Sequence, residues 1–117
     1  MEQRRRFPRI KCFLPVRLYP HGQFKAFETL VTDLGEGGIR VVSPIAHPVA
    51  TDLSLEISFG FPEQPLQVIG SVAWFQPAPK GQQYELGISF KSIPSPAARR
   101  LSSYLDRLTC QPSPAVS

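Results

Sequence analysis

The chain is organised around the stretch Asp33-Leu34-Gly35-Glu36-Gly37-Gly38. Three glycines within six residues are dense for a chain that has 8 glycines in 117 residues. Glycine accepts positive φ angles and allows another molecule to approach the backbone closely. The Asp33 carboxylate can accept hydrogen bonds from amide groups or from the edge of a ligand. Because alternating apolar residues flank the stretch, it predicts a turn between two β-strands. Asp33 is the first residue of this predicted turn.

The excess basic charge lies at the N-terminus. Residues 1–11 hold five basic residues and one Glu, which accounts for the whole formal net charge of +4. The basic residues are Arg4, Arg5, Arg6, Arg9 and Lys11. Since this segment has little apolar surface, we expect residues 1–11 to form a flexible basic arm. A basic arm on a neutral body indicates an anionic partner, which can be nucleic acid, anionic lipid or a small phosphorylated ligand.

Alternation of apolar and polar residues predicts six short strands after the arm. They cover residues 12–19, 24–32, 39–42, 53–59, 66–75 and 84–90. Turns rich in Pro and Gly separate them. In the fifth strand, Gly70 predicts a β-bulge, and the alternation that follows places Val72 and Trp74 on one face. Six short strands imply an all-β fold, a six-stranded antiparallel β-barrel, because closure leaves no exposed edges.

The pattern becomes helical after Pro94. Ser95 can cap a helix that has Pro96 at its first position, and the spacing of Leu101 and Leu105 predicts an amphipathic helix packed on the barrel. We therefore expect one domain over residues 12–110, containing the barrel and the C-terminal α-helix. Residues 111–117 are expected to form a disordered tail.

Motifs for catalysis and metal binding are missing from the sequence. His21 and His47 lie in Pro-rich turns, where we expect solvent exposure, and neither has a Cys or His at ligand spacing. Cys12 and Cys110 are far apart and suit reduced thiols better than a disulfide. No apolar run could span a membrane, and the N-terminus has no secretory signal. We expect a cytoplasmic, non-enzymatic domain with no catalytic residues, metal, cofactor or membrane insertion.

Two motifs in the sequence resemble those of PilZ domains. Arg5-Arg6-Phe7-Pro8-Arg9 is similar to the RxxxR motif of that family, and the glycine stretch at 33–38 is similar to its [D/N]xSxxG motif. Residues 72–75 and 85–90 also resemble the closing strands of the family, so the resemblance covers roughly residues 4–108. It implies a six-stranded antiparallel barrel that binds the bacterial second messenger cyclic di-GMP.

The resemblance implies ligand-binding roles for seven residues. They are Arg4, Arg5, Arg9, Asp33, Gly35, Gly38 and Trp74. Arg5 and Arg9 would bind guanine edges and phosphates, and Arg4 would contact a second nucleotide. Asp33 would accept hydrogen bonds from the N1/N2 edge of guanine. Gly38 would let the backbone approach the ligand.

Three positions leave alternatives open. Trp74 resembles an aromatic residue near the ligand of relatives, but it also suits an ordinary core or surface tryptophan. Arg40 either strengthens the positive field or is a plain solvent-facing residue. Gly35 replaces the serine of the family, so a hydroxyl is missing from the site. One neutral hydrogen bond contributes about 0.5–1.5 kcal/mol, so we expect weakened rather than lost binding.

The sequence leaves three functions to compare. The first is a cyclic di-GMP receptor whose arm changes conformation on binding and signals to an unknown protein effector. The second, motivated by Gly35, is a degenerate PilZ domain that acts as a nucleotide-independent protein-interaction module. The third is a barrel that binds single-stranded nucleic acid through its arm and aromatic residues. Because the body is neutral and has no long basic track, we expect no nucleic acid polymer as partner.

Overall fold

The computed structural model, which describes residues 10–22, 25–60, 64–79 and 81–110, is a closed six-stranded antiparallel barrel followed by one helix. The elements are β1 (Ile10–Pro20), β2 (Phe27–Leu34), β3 (Gly38–Ser43), β4 (Asp52–Ile57), β5 (Leu66–Pro77), β6 (Tyr84–Ser92) and α1 (Ser95–Cys110). The strand order is β1-β2-β3-β6-β5-β4, and β4 pairs with β1 to close the barrel. The predicted fold class is therefore confirmed.

The first two strands start and end at residues other than those predicted. β1 begins at Ile10, so Ile10 and Lys11 belong to the strand and not to the arm. β2 extends to Leu34, so Asp33 lies within a strand and does not open the turn. Both differences have one cause, because the start of β1 pairs with the end of β2 through Ile10 and Leu34 and through Lys11 and Asp33. Residues 1–9 and 111–117 lie outside the described residues, as does most of the predicted arm.

Alternate residues of the strands fill the barrel interior. Leu53, Leu55 and Ile57 of β4 are buried, as their period-2 pattern predicts. The predicted helix is present as α1, which packs against β5 and β1 with Leu101 and Leu105 buried. Full burial of one such side chain stabilises the fold by about 1.5–3 kcal/mol. The core therefore supplies the main stabilisation of both the barrel and the helix.

A β-bulge in β2 changes the direction of Asp33. Val31 pairs with Val41 and Asp33 pairs with Arg40, so Thr32 is an extra residue relative to β3. Strict alternation would place Asp33 on the same face as the buried Val31. The bulge instead puts Asp33 on the outer face, opposite Arg40.

A second bulge, in β5, does the same for Trp74. Val72 pairs with Ile88 and Trp74 pairs with Gly87, which leaves Ala73 as the extra residue. The prediction that Trp74 shares the face of Val72 is therefore wrong, since Val72 points inward and Trp74 outward. The bulge predicted at Gly70 is confirmed by a register shift between β5 and β6 at that residue.

His47 is buried, and the expectation of solvent exposure is wrong for this residue. It lies in the connection between β3 and β4, where its ring stacks on that of Phe27 with 5.5 Å between centroids and an interplanar angle of 6°. His21, in contrast, is exposed as expected. Burial lowers the pKa of His47 below its ordinary value, because the protonated ring loses its hydration.

We expect the buried His47 to make the stability of the barrel depend on pH. The unfolded chain binds a proton near pH 6.5, whereas the folded chain binds it only at lower pH. Its contribution is therefore complete above about pH 6.5 and is lost as the pH falls, by up to about 1.4 kcal/mol per pH unit. Urea unfolding between about pH 7 and pH 5 should show a flatter dependence in His47→Gln than in the wild type. His21→Gln is the control, and a His47→Gln slope equal to that of the wild type would contradict the expectation.

Candidate functional site

A row of five residues crosses the outer face of five strands. Lys11 pairs with Asp33, Asp33 with Arg40, Arg40 with Gly87, and Gly87 with Trp74. Residues directly opposite each other in antiparallel strands have Cβ atoms about 4.5–5.5 Å apart. These five residues, on β1, β2, β3, β6 and β5, therefore lie side by side, and we call them the cross-strand row.

The carboxylate of Asp33 lies between two cations. Lys11 Nζ is 3.2 Å from Oδ1 and Arg40 Nε is 3.2 Å from Oδ2. The Asp33 side chain is only 6% exposed, whereas that of Lys11 is 81% exposed and that of Arg40 is 36% exposed. A buried carboxylate is stable only when its charge is compensated. Because the exposed Lys11 is free to rotate in solvent, Arg40 is the firmer of the two partners.

Arg40 also contacts Trp74, across Gly87. The guanidinium carbon of Arg40 lies 5.6 Å from the centroid of the Trp74 ring, which is the geometry of a cation–π interaction. A Cβ at Gly87 would lie 2.2 Å from Trp74 Nε1. The glycine therefore makes the space in which the indole lies against β6 and reaches the guanidinium.

The glycine stretch forms a tight connection between β2 and β3. The backbone N–H of Gly35 donates to the carbonyl of Gly38 at 3.0 Å, and the carbonyl of Gly37 accepts from the N–H of Phe90 at 2.9 Å. Positive φ is not used here, since the described glycines with positive φ are Gly22, Gly60 and Gly81. Gly38 is required for packing, because a Cβ there would lie 2.2 Å from the carbonyl oxygen of Ile88.

Four of the seven predicted site residues lie within the described residues. Asp33 and Trp74 belong to the cross-strand row, and Gly35 and Gly38 follow Asp33 directly in the β2–β3 connection. The other three, Arg4, Arg5 and Arg9, lie outside the described residues. Sequence reasoning missed Lys11 and Gly87 as parts of this site. The signal for Gly87 was its position inside an alternating strand, because a glycine there often marks the close approach of another group.

The described residues offer little support for other kinds of site. They contain no cluster of three or more His, Cys, Asp and Glu side chains that could hold a metal ion. Cys12 is a free, half-buried thiol. Burial and the nearby charge of Asp33 raise the pKa of Cys12, which disfavours the reactive thiolate. Within the described ranges, no helix combines the length and the apolar character that crossing a membrane requires.

The sequence matches the family model of the PilZ domain over residues 3–107, which is nearly the whole chain. The chain belongs to the PilZ domain family. The predicted family membership is thereby confirmed. No curated protein sequence matches this PilZ domain.

Solved structures share the fold of this PilZ domain. The inhibitor of motility MotI/DgrA of Bacillus subtilis has a TM-score of 0.77 and 23% identity, covering 92% of this chain and 52% of that one. The PilZ domain of YcgR from Escherichia coli, solved with c-di-GMP, has a TM-score of 0.72 and 16% identity, covering 92% of both chains. The K. pneumonia MrkH–c-di-GMP complex has a TM-score of 0.74 and 16% identity, covering 92% of this chain and 53% of that one. This PilZ domain thus spans about half the length of MotI/DgrA and MrkH.

Proposed function

We propose that this PilZ domain is a non-enzymatic receptor for cyclic di-GMP, whose arm changes conformation on binding and signals to a protein effector. The observation that carries the proposal is the cross-strand row. It brings a carboxylate acceptor, Asp33, and an aromatic ring, Trp74, to one outer surface of the barrel. The N1 and N2 groups of guanine are hydrogen-bond donors that match a carboxylate, and the flat base matches an indole ring.

The position of the arm in the chain supports the proposal. Arg9 directly precedes Ile10, which pairs with Leu34 beside Asp33. Strands in a sheet lie about 4.8 Å apart, so the cross-strand row is about 19 Å long. The five residue steps from Arg5 to Ile10 span at most about 17 Å when extended. Arg5 and Arg9 can therefore reach a ligand on the row, where their guanidinium groups would bind phosphates or guanine edges.

The structural neighbours give the proposal further support. YcgR and MrkH were solved with c-di-GMP and share the fold over 92% of this chain. In our proposal cyclic di-GMP is a regulatory ligand, and no metal or further cofactor takes part. Ordering of the arm by the doubly charged ligand changes the surface offered to the effector.

Isothermal titration with cyclic di-GMP tests the proposal. The wild type should give saturable heat, and Arg5→Ala should lose binding because a guanidinium contact to the ligand is removed. Arg17→Ala is the control, since Arg17 lies elsewhere on β1 and pairs with Glu28. Equal affinities of the wild type and Arg5→Ala would overturn the role of the arm. Absence of heat at high ligand concentration would favour the nucleotide-independent interaction module.

Gly35→Ser should bind cyclic di-GMP several-fold more tightly than the wild type. The substitution restores the hydroxyl that the family motif carries, and one neutral hydrogen bond is worth about 0.5–1.5 kcal/mol, or up to about tenfold in affinity. The same titration measures the gain. Gly37→Ser is the matched control, because it adds a hydroxyl at an exposed position of the same connection. Equal affinities of Gly35→Ser and the wild type would show that the missing hydroxyl does not limit binding.

A further inference from the structure

Arg40 is the residue that links the two halves of the cross-strand row. It lies on β3 between Asp33 on β2 and Gly87 on β6, and its side chain contacts both Asp33 and Trp74. Lys11 contacts the other oxygen, Oδ1, of the same carboxylate. Among the described residues of the row, Arg40 therefore joins the hydrogen-bond acceptor to the aromatic ring.

The contact between Arg40 and Asp33 is one of charge. Arg40 Nε is buried and lies 3.2 Å from Asp33 Oδ2, yet its N–H makes no hydrogen bond to any described residue. A charge attraction holds a carboxylate in place without using a directed lone pair. Oδ2 therefore keeps its capacity to accept hydrogen bonds from another molecule.

The contact between Arg40 and Trp74 depends on the planar guanidinium. The 5.6 Å separation suits attraction between a cation and the face of an indole. Lysine carries the same charge but has no flat group to pack along the ring. Arg40 thus performs two tasks, of which lysine would perform the second less well.

We propose that Arg40 is a positioning residue for a base with two adjacent N–H donors on its edge. It holds the Asp33 carboxylate by charge and the Trp74 ring by the cation–π contact, so that both are aligned before the base arrives. The identification of that base as guanine rests on the proposed function. The positioning itself is a property of the ligand-free protein and can be tested there.

Fluorescence of the ligand-free protein tests the positioning directly, because Trp74 is the only tryptophan of the chain. Arg40→Gln should shift the Trp74 emission to longer wavelength and increase its quenching by acrylamide, since the ring loses its cover. Arg40→Lys should show a smaller change in the same direction. Arg17→Gln, which removes an arginine paired with Glu28 away from the row, should leave the emission unchanged.

Titration of the same variants with cyclic di-GMP supplies the second measurement. Arg40→Gln should bind about tenfold more weakly than the wild type, the loss expected for about 1.4 kcal/mol. Arg40→Lys should regain part of that affinity, because it keeps a charge near Asp33. Thermal unfolding of each variant verifies that the barrel is intact, and Arg40→Lys carries the test if Arg40→Gln does not fold.

Two results would overturn the inference. Unchanged Trp74 emission in both Arg40 variants would show that Arg40 does not hold the ring, whatever the affinity. If the wild type binds cyclic di-GMP and Arg40→Gln binds it with the same affinity, then the alignment of the row by Arg40 is irrelevant to the ligand. If the wild type binds no cyclic di-GMP, the proposed function fails, and the fluorescence comparison still decides whether Arg40 positions Trp74.

Discussion

Alanine in place of Gly38 should destabilise the barrel by about 3 kcal/mol or more, the upper range for overpacking. The new Cβ would lie 2.2 Å from the carbonyl oxygen of Ile88 and 3.1 Å from the Cα atom of Ser89. Both are backbone atoms of β6, so no side-chain rotation can relieve the clash. β3 would have to move away from β6, and the hydrogen bonds between these strands would weaken. A loss of this size is a large part of the roughly 5–15 kcal/mol that stabilises a typical domain.

Urea unfolding monitored by circular dichroism measures this effect. Gly37→Ala is the matched control, because a Cβ at the neighbouring glycine meets nothing within 4 Å. The control should change the free energy of unfolding by less than about 1 kcal/mol. The comparison separates the packing role of Gly38 from its predicted role at the ligand. Equal stability of the Gly38→Ala variant and the wild type would exclude the packing role.

Removal of the Asp33 carboxylate should reduce cyclic di-GMP affinity by a hundredfold or more. In the proposed complex the carboxylate accepts two hydrogen bonds from guanine, and each bond to a charged acceptor contributes about 1.5–3 kcal/mol. Asp33→Ala removes both bonds. Asp33→Asn keeps the size of the side chain, but its amide N–H₂ would face the donors of the base. Both variants should therefore fail to bind at concentrations that saturate the wild type.

Isothermal titration of the wild type and both Asp33 variants measures the loss. Glu28→Gln is the control, since Glu28 also lies on β2 but pairs with Arg17 away from the cross-strand row. It should bind as the wild type does. If Asp33→Asn binds cyclic di-GMP with the affinity of the wild type, the carboxylate is not part of the binding site, and the proposed guanine contact has no support.

The parts of the fold that were predictable depend on local sequence. The alternation of Leu53, Leu55 and Ile57 predicts β4, because each inward side chain packs into the same core. The helix from Ser95 is equally local, since its apolar spacing lies within one segment. Six such strands leave barrel closure as the natural way to avoid free edges.

The parts that were missed depend on pairing between distant segments. The bulges at Thr32 and Ala73 exist only in the register with β3 and β6, so strict alternation assigned Trp74 to the wrong face. The buried ring of His47, in the β3–β4 connection, stacks on Phe27 of β2, which is distant in sequence. Local patterns carry no information about such partners.

The candidate site also combines residues that local sequence indicated and residues that only strand pairing revealed. The resemblance to PilZ domains indicated Asp33 and Trp74 because each belongs to a recognisable segment. Lys11 and Gly87 joined them only through the strand register, which no single segment of sequence displays. The contacts of Arg40 with Asp33 and Trp74 were hidden for the same reason, because they depend on the pairing of separate strands.

The two bulges also affect how this surface should be compared between relatives. Deletion of Ala73 alone would place Trp74 directly after the inward Val72, so strict alternation would return in β5 with the indole still on the outer face. Deletion of Thr32 would likewise leave the carboxylate of Asp33 on the outer face of β2. The chain length at either position can therefore vary by one residue while the surface is kept, and family members should be aligned by strand register as well as by their motifs.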